Sequence, residues 1–251
     1  ISGTSPTTNF LVGGIADPFQ AILPIGHPDN PFKDARTAVI YRFDNLKTGT
    51  SLLNQNARVL GGFKGVQGVW DWETAVLWNQ SRREETSYGF LYLPTLRKLT
   101  TENRSLASLA ADPTISRALT NVGVAEIVQW DAKATRELGQ LEGGKIGLAV
   151  GIEARQERLG IDPDPANARG DILGLSTTAI QSKRDVVSSF FEFRTPFTKT
   201  FEMDFAGRFD KYPSLKTNFV PKVGAKWKAQ DGLAFRGTYS EGFRAPALSQ
   251  V

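Results

Sequence analysis

Phe201-Glu-Met-Asp-Phe-Ala-Gly-Arg-Phe-Asp210, read in twos, separates into two unlike surfaces. The odd positions carry Phe201, Met203, Phe205, Gly207 and Phe209; the even ones carry Glu202, Asp204, Ala206, Arg208 and Asp210. Contrast at a period of two predicts a β-strand with one apolar and one charged face. The pattern continues downstream: Phe219, Pro221, Val223, Ala225 and Trp227 stand against Lys222, Gly224, Lys226 and Lys228. Then Leu233, Phe235, Gly237 and Tyr239 stand against Ala234, Arg236, Thr238 and Ser240. Carboxylates and arginines facing a dry core are costly unless paired. The charged face must therefore be wet, and the apolar face must find a second sheet or lipid.

Upstream runs share the signature. Ala57, Val59 and Phe63 oppose Arg58 and Lys64, and Trp70, Trp72, Thr74, Val76 and Trp78 oppose Asp71, Glu73, Ala75 and Asn79. Trp130, Ala132 and Ala134 oppose Gln129, Asp131, Lys133 and Thr135; Ile146, Leu148, Val150 and Ile152 oppose Gly147, Ala149, Gly151, Glu153 and Arg155. Val187, Phe191 and Phe193 alternate with Ser188, Glu192 and Arg194 up to Pro196. With an extended run at 36–44, about nine strands are expected. Residues 1–53 read as a long loop with a short hairpin, and 54–251 as barrel strands.

Connection lengths narrow the choice. They alternate between tight turns (65–68, 142–144, 196–199, 229–231) and longer segments (82–124, 159–180, 211–216). Short turns at one end and longer loops at the other, joining strands of roughly 9–11 residues, are what a transmembrane β-barrel requires. Aromatics fall near both ends: Phe63, Trp70, Trp72, Phe193, Phe201 and Trp227 by the short turns, Trp78, Trp130, Phe209, Phe219 and Tyr239 by the long ones. The predicted fold class is all-β, an antiparallel up-and-down meander forming part of a transmembrane β-barrel.

Composition excludes several functions. The 251 residues contain no cysteine and one histidine, His27, which removes thiol chemistry and leaves no imidazole pair for a metal or a triad. Lys and Arg total 30 against 26 Asp and Glu, scattered in sign, so no nucleic-acid stripe emerges. No apolar run reaches the ~18 residues of a membrane helix. No cofactor or metal is expected.

The carboxy-terminal residues resemble a known family. Pro221-Lys-Val-Gly-Ala-Lys-Trp227 followed by Leu233-Ala-Phe-Arg-Gly-Thr-Tyr-Ser-Glu-Gly-Phe-Arg-Ala-Pro246 is similar to the barrel of TonB-dependent outer-membrane receptors. Glu192-Phe-Arg-Thr-Pro196, Arg208-Phe-Asp210, Asn30-Pro-Phe32, Tyr41-Arg-Phe43, Trp70-Asp-Trp-Glu73 and Asp131-Ala-Lys-Ala-Thr-Arg-Glu-Leu138 resemble further elements of its large members. The resemblance spans about 30–251, and Gly242-Phe243-Arg244-Ala245-Pro246 is its most specific part. The family's plug domain, TonB box and closing aromatic strand find no match, so the chain resembles a central slice of a barrel of about 22 strands, plug absent. The resemblance implies active import of a scarce solute, of siderophore, cobalamin or saccharide class, across the Gram-negative outer membrane. Implied partners are outer-membrane lipid, the small-molecule solute and the TonB complex acting through the plug, with no nucleic acid and a monomeric receptor.

Candidate lumen-facing residues are Glu153, Arg155, Glu192, Arg194, Glu202, Asp204, Arg208, Lys222 and Arg236. Candidate lipid-facing residues are Trp72, Trp78, Phe191, Phe193, Phe201, Met203, Phe205, Trp227 and Phe235. Arg244 is read as an anchor for the rim or the plug, and the long connections as the place of solute capture. The stretch 101–111 reads as a helix stopped by Pro113, Asp162-Pro-Asp164 as a solvated turn, and His27 as a loop residue. Asp71/Glu73 and Glu153/Glu157 share the wet face without forming an acid/base dyad. A passive porin and a soluble carbohydrate-binding β-sandwich remain open; the sandwich predicts tryptophans gathered on one patch.

Overall fold

The computed structural model describes residues 11–12, 15–16, 21–175, 177–213 and 215–250. Four short strands come first: β1 Leu11–Val12 pairs with β2 Ile15–Ala16, and β3 Ile22–Leu23 with β4 Thr37–Ala38. Eight longer ones follow as a single meander in chain order: β5 Gly49–Gln67, β6 Trp70–Tyr88, β7 Leu119–Leu141, β8 Gly144–Asp162, β9 Ile180–Thr195, β10 Phe201–Lys211, β11 Asn218–Gln230 and β12 Leu233–Ser240. The sheet is not closed; β5 and β12 are its outer strands.

Eight sheet strands form rather than about nine. In the expected ninth run, 36–44, strand is confined to Thr37–Ala38, with a single bridge at Arg42. Phe43 is instead fully buried, with its ring edge-on to Tyr41 at 4.9 Å. Core packing of one large aromatic outweighs the few ladder bonds a short strand would add. Strand ends also differ from the alternation. β6 continues past Ser81 to Tyr88, β7 starts at Leu119, and β8 runs to Asp162. Those extensions carry polar residues on both sides, so no contrast marks them. Pairs two residues apart on one face, Arg82–Glu84 at 2.6 Å and Arg83–Glu85 at 2.7 Å, accompany the ladder there.

The tight turns lie where the glycines predict. Gly68 and Gly232 adopt φ of 62° and 84°, the left-handed region that closes a short hairpin without a Cβ clash.

The chain divides into two compact units. One comprises Ile1–Gln55, Arg82–Gly123 and Gly160–Ile180. It has a conventional core in three clusters. Phe43, Leu91, Leu93, Leu96, Ile115 and Leu173 form the first; Ala21, Leu23, Leu99, Leu106 and Leu109 the second; Leu119, Ala166 and Ile172 the third. Short helices carry many of these side chains: α1 Leu93–Leu96, α2 Lys98–Thr101, α3 Leu106–Ala110 and α4 Pro165–Ala168. The helix expected over 101–111 is broken at 102–105, where Asn103 takes φ 50°. Ser105 then caps α3, its Oγ accepting from the Ser108 amide, and Asp29 Oδ2 accepts from the Leu106 amide at 2.6 Å.

His27 is no ordinary loop residue. It is 3 % exposed; its Nε2 lies 2.8 Å from the Leu99 carbonyl and 3.2 Å from that of Arg104, while Nδ1 accepts from the Asp29 amide. One imidazole thus satisfies backbone groups from two distant segments. Asp164 is not a solvated turn either: its Oδ1 caps α4 through the Ala166 amide, and Arg117 pairs with it at 3.0 Å.

The other unit comprises Asn56–Ser81, Val124–Leu159 and Gln181–Val251. It is sheet with almost no core. Among its described residues, Val186 and Tyr212 are the only large hydrophobic side chains that are buried.

Candidate functional site

Register assigns the faces of the coreless sheet. Phe201 pairs with Trp227, Met203 with Ala225, Phe205 with Val223 and Phe193, Gly207 with Phe191 and Phe209 with Phe219. Trp227 in turn pairs with Phe235. These rings contact one another along the face, Trp227 on Phe235 at 5.8 Å, Phe209 on Phe219 at 4.6 Å and Phe191 against Phe193 at 6.1 Å. On β6 and β7 the same surface carries Trp72, 38 % exposed, and Trp130, whose Nε1 donates to Thr74 Oγ1 at 2.9 Å. The apolar surface is continuous over neighbouring strands and stays largely open, with Trp227 at 51 % and Phe235 at 54 % exposure. Soluble monomers rarely expose a contiguous apolar surface of this kind.

The opposite face is stitched by charge. Lys226 and Arg194 both pair with Glu202, at 3.0 and 3.1 Å. A longer chain crosses β8, β9 and β10. Asp210 takes Arg208 at 2.8 Å and Ser188 Oγ, and Arg208 reaches Glu153 at 3.4 Å. Arg155 sits between Glu153 and Glu157 at 2.7 Å from each, and Glu157 pairs with Arg184 at 2.6 Å. Arg184 then donates to the Pro246 carbonyl at 2.6 Å, with its guanidinium 5.3 Å from the centre of the Tyr212 ring. Tyr212 meets Phe243 at 5.8 Å. Glu73–Lys133 and Glu137–Lys145 continue the pairing on β6 to β8. One apolar phenylalanine, Phe190, breaks the pattern by lying over Gly151, where any Cβ would collide with its ring. A concavity of about 810 Å³ on this face is lined by Asp71, Thr135, Glu137, Gly147, Glu192 and Arg194 among others. No cluster of acidic or histidine residues suited to a metal ion occurs among the described residues.

A meander with one open apolar face and one ion-paired face is the wall of a barrel, and the family model described as "TonB dependent receptor-like, beta-barrel" matches residues 3–251. The chain belongs to that family. No curated protein matches it. Among solved structures, it is similar to the one described as "Structure of the RagAB peptide transporter", at 12 % identity and TM-score 0.50, over 74 % of this chain and 21 % of that one. "Structure of the FpvAI-pyocin S2 complex" is matched at 16 % identity and TM-score 0.37, over 68 % of this chain and 25 % of that one. The chain spans about a fifth to a quarter of the length of these structures.

Within this receptor barrel wall, the charged residues singled out by alternation divide by partner. Glu153, Arg155, Arg194, Glu202 and Arg208 are joined in the ion pairs above. Glu192, Asp204, Lys222 and Arg236 form no ion pair among the described residues. Glu192 borders the large concavity, while Asp204 and Arg236 border a smaller one of about 240 Å³ with Lys226 and Thr238. The motif Gly242–Pro246 follows β12, and Arg184 rather than Arg244 holds it; Arg244 is exposed and forms no ion pair among the described residues. Alternation put Glu157, Ser188 and Asp210 on the charged face without singling them out as bridging groups, and it missed Arg184 and Tyr212. Parity put Asp210 on the wet face, yet nothing local foretells that Arg184 meets a carbonyl 62 residues later.

Proposed function

We propose that this chain is a stretch of the wall of an outer-membrane receptor that imports a scarce solute using energy delivered through TonB. The observation that carries this reading is the eight-stranded sheet whose apolar face has no covering layer among the described residues while its other face is ion-paired. A β-sandwich would bury that apolar face under a second sheet, and its tryptophans would gather on one patch; here they are spread from β6 to β11. On this reading Trp72, Trp78, Phe191, Phe193, Phe201, Met203, Phe205, Trp227 and Phe235 meet lipid. Glu153, Arg155, Glu192, Arg194, Glu202, Asp204, Arg208, Lys222 and Arg236 then line the lumen.

Glu153, Arg155, Arg194, Glu202 and Arg208 are held in ion pairs, so recognition of the solute rests chiefly with the connections at 82–124 and 159–180. Siderophore, cobalamin and saccharide are the solute classes that fit such a wall. The partners are outer-membrane lipid, the solute, and TonB acting through a plug that keeps a wide polar lumen from leaking. No bond in the solute is broken, and the receptor acts as a monomer in the Gram-negative outer membrane.

The test is uptake by cells expressing the full-length receptor, with and without TonB, offered a ferric chelate, cobalamin or an oligosaccharide. Accumulation of one of these that disappears without TonB is expected. Uptake that persists without TonB would instead identify a passive pore.

A further inference from the structure

The apolar face ends along a line. On β6 the outward positions run Thr74, Val76, Trp78 and then Gln80; on β7, descending, Trp130, Val128 and then Glu126. On β8 they run Ile152, Ala154 and then Gln156 and Arg158; on β9, descending, Phe191, Ser189, Val187 and then Asp185 and Lys183. These polar side chains bond across the strands. Trp78 Nε1 donates to Glu126 at 3.2 Å, and Gln80 Nε2 reaches the same carboxylate at 3.4 Å. Arg158 approaches Glu126 from the other side at 3.4 Å and donates to Gln156 at 2.9 Å, and Gln156 donates to Asp185 at 2.8 Å. On β10 the line continues at Lys211, which pairs in register with Val187.

Resting on the wall reading above, we infer that Trp78, Gln80, Glu126, Gln156, Arg158 and Asp185 form the belt that meets the polar headgroups of the bilayer's outer leaflet. The dimensions fit. From each tight turn to the belt, the outward positions run over 70–78, 128–138, 146–154 and 187–195, apolar but for Thr74, Ser189, Thr195 and Arg136, whose guanidinium lies over the Trp70 ring beside the turn, and their length matches the roughly 9–11 tilted residues that cross the hydrocarbon. Trp78 and Trp130 stand at the border, and the Trp78 indole N–H turns to the belt carboxylate of Glu126, as an amphipathic ring does at a membrane interface. The half-exposed guanidinium of Arg158 keeps donors free for a headgroup phosphate. A polar belt in the hydrocarbon itself would leave these groups short of partners, which is why the line and the headgroup level must coincide.

Beyond the belt, β6 to β9 continue to Tyr88, Leu119, Asp162 and Ile180. At about 3.3 Å per residue these strands run on about 13–26 Å past the belt.

The experiment uses full-length receptor, stripped of any native cysteine elsewhere, in phosphatidylcholine–phosphatidylglycerol vesicles. Single nitroxide labels go below the line (Val76→Cys, Val128→Cys, Val187→Cys), above it (Arg82→Cys, Lys183→Cys) and deep (Phe193→Cys, Phe205→Cys). Collision with oxygen reports hydrocarbon, and collision with a nickel chelate reports water. The expected result is oxygen access at the deep and lower labels and nickel access at the upper ones. If the deep labels read hydrocarbon but the lower and upper rows read alike, the border is elsewhere and this inference falls alone. If the deep labels read water, the wall reading falls with it.

Discussion

Replacing Phe205 by arginine places a cation where the apolar face has least access to water. Phe205 lies midway in the run from Phe201 to Phe209, four residues from either end. At about 3.3 Å per residue and a ~45° tilt, that is about 9 Å of depth on each side, close to the middle of an apolar band about 25 Å tall. Its register partners are Phe193 and Val223, which offer a guanidinium no hydrogen-bond acceptor in their side chains. The expected cost of Phe205→Arg is therefore about 2–4 kcal/mol. Ala206→Arg, one residue on, meets different neighbours. Ala206 pairs with Glu192 and Lys222, so the new charge gains one partner and one repulsion in a wet setting, where each is worth ~0–1 kcal/mol. The two variants should differ by roughly 2 kcal/mol or more, about 30-fold in the folding equilibrium. Urea titration of the full-length receptor in phosphatidylcholine vesicles, followed by tryptophan fluorescence, reads this difference. Equal costs, or a larger one for Ala206→Arg, would refute the face assignment.

Three further outcomes follow from the geometry. His27→Phe keeps the bulk but strands the Leu99 and Arg104 carbonyls and the Asp29 amide, at about 1–3 kcal/mol per buried group. It should speed hydrogen exchange at Asp29 and Leu106 while leaving β10 and β11 protected, and unchanged exchange would deny its bridging role. Arg184→Met removes the hold on the Pro246 carbonyl and the contact over Tyr212, so a thiol introduced by Arg244→Cys should react faster with a water-soluble maleimide than in the Arg184 parent. Hydrogen bonds from Thr114 and Arg104 hold the Asp112 carboxyl well below its ordinary 3.8. A depressed folded-state value means the stabilisation is complete above the ordinary value and is lost as pH falls through it toward the folded one. Proteolysis within 89–118 should therefore rise as pH falls below about 4, and Asp112→Asn should be labile already at neutral pH, with little further dependence.

Much of the sheet was readable because alternation is a local property: whether Phe205 and Ala206 point apart follows from the strand backbone alone. The same locality explains the errors. Arg82 to Tyr88 is strand, yet its residues are polar on both sides, so no period of two shows. The 36–44 run alternates well enough to suggest a ninth strand, but Phe43 is claimed by Leu91, Leu96, Ile115 and Leu173, which come from other connections. Parity puts Glu153 and Arg155 on one face of β8, whereas their linkage to Arg184 and Pro246 depends on which strands lie side by side.

Sequence alone, then, determined the two-faced ribbons, the tight turns at Gly68 and Gly232, and through Gly242–Pro246 the family. Only the tertiary structure decided that the hydrophobic core is built in the connections, that His27 fastens the loop at 27–29 to the connection at 82–124, and that Arg184 holds the motif. The division has a physical cause. Side-chain direction along a strand is set within a few residues, while burial and ion pairing are set by neighbours that the chain brings together from tens of residues away.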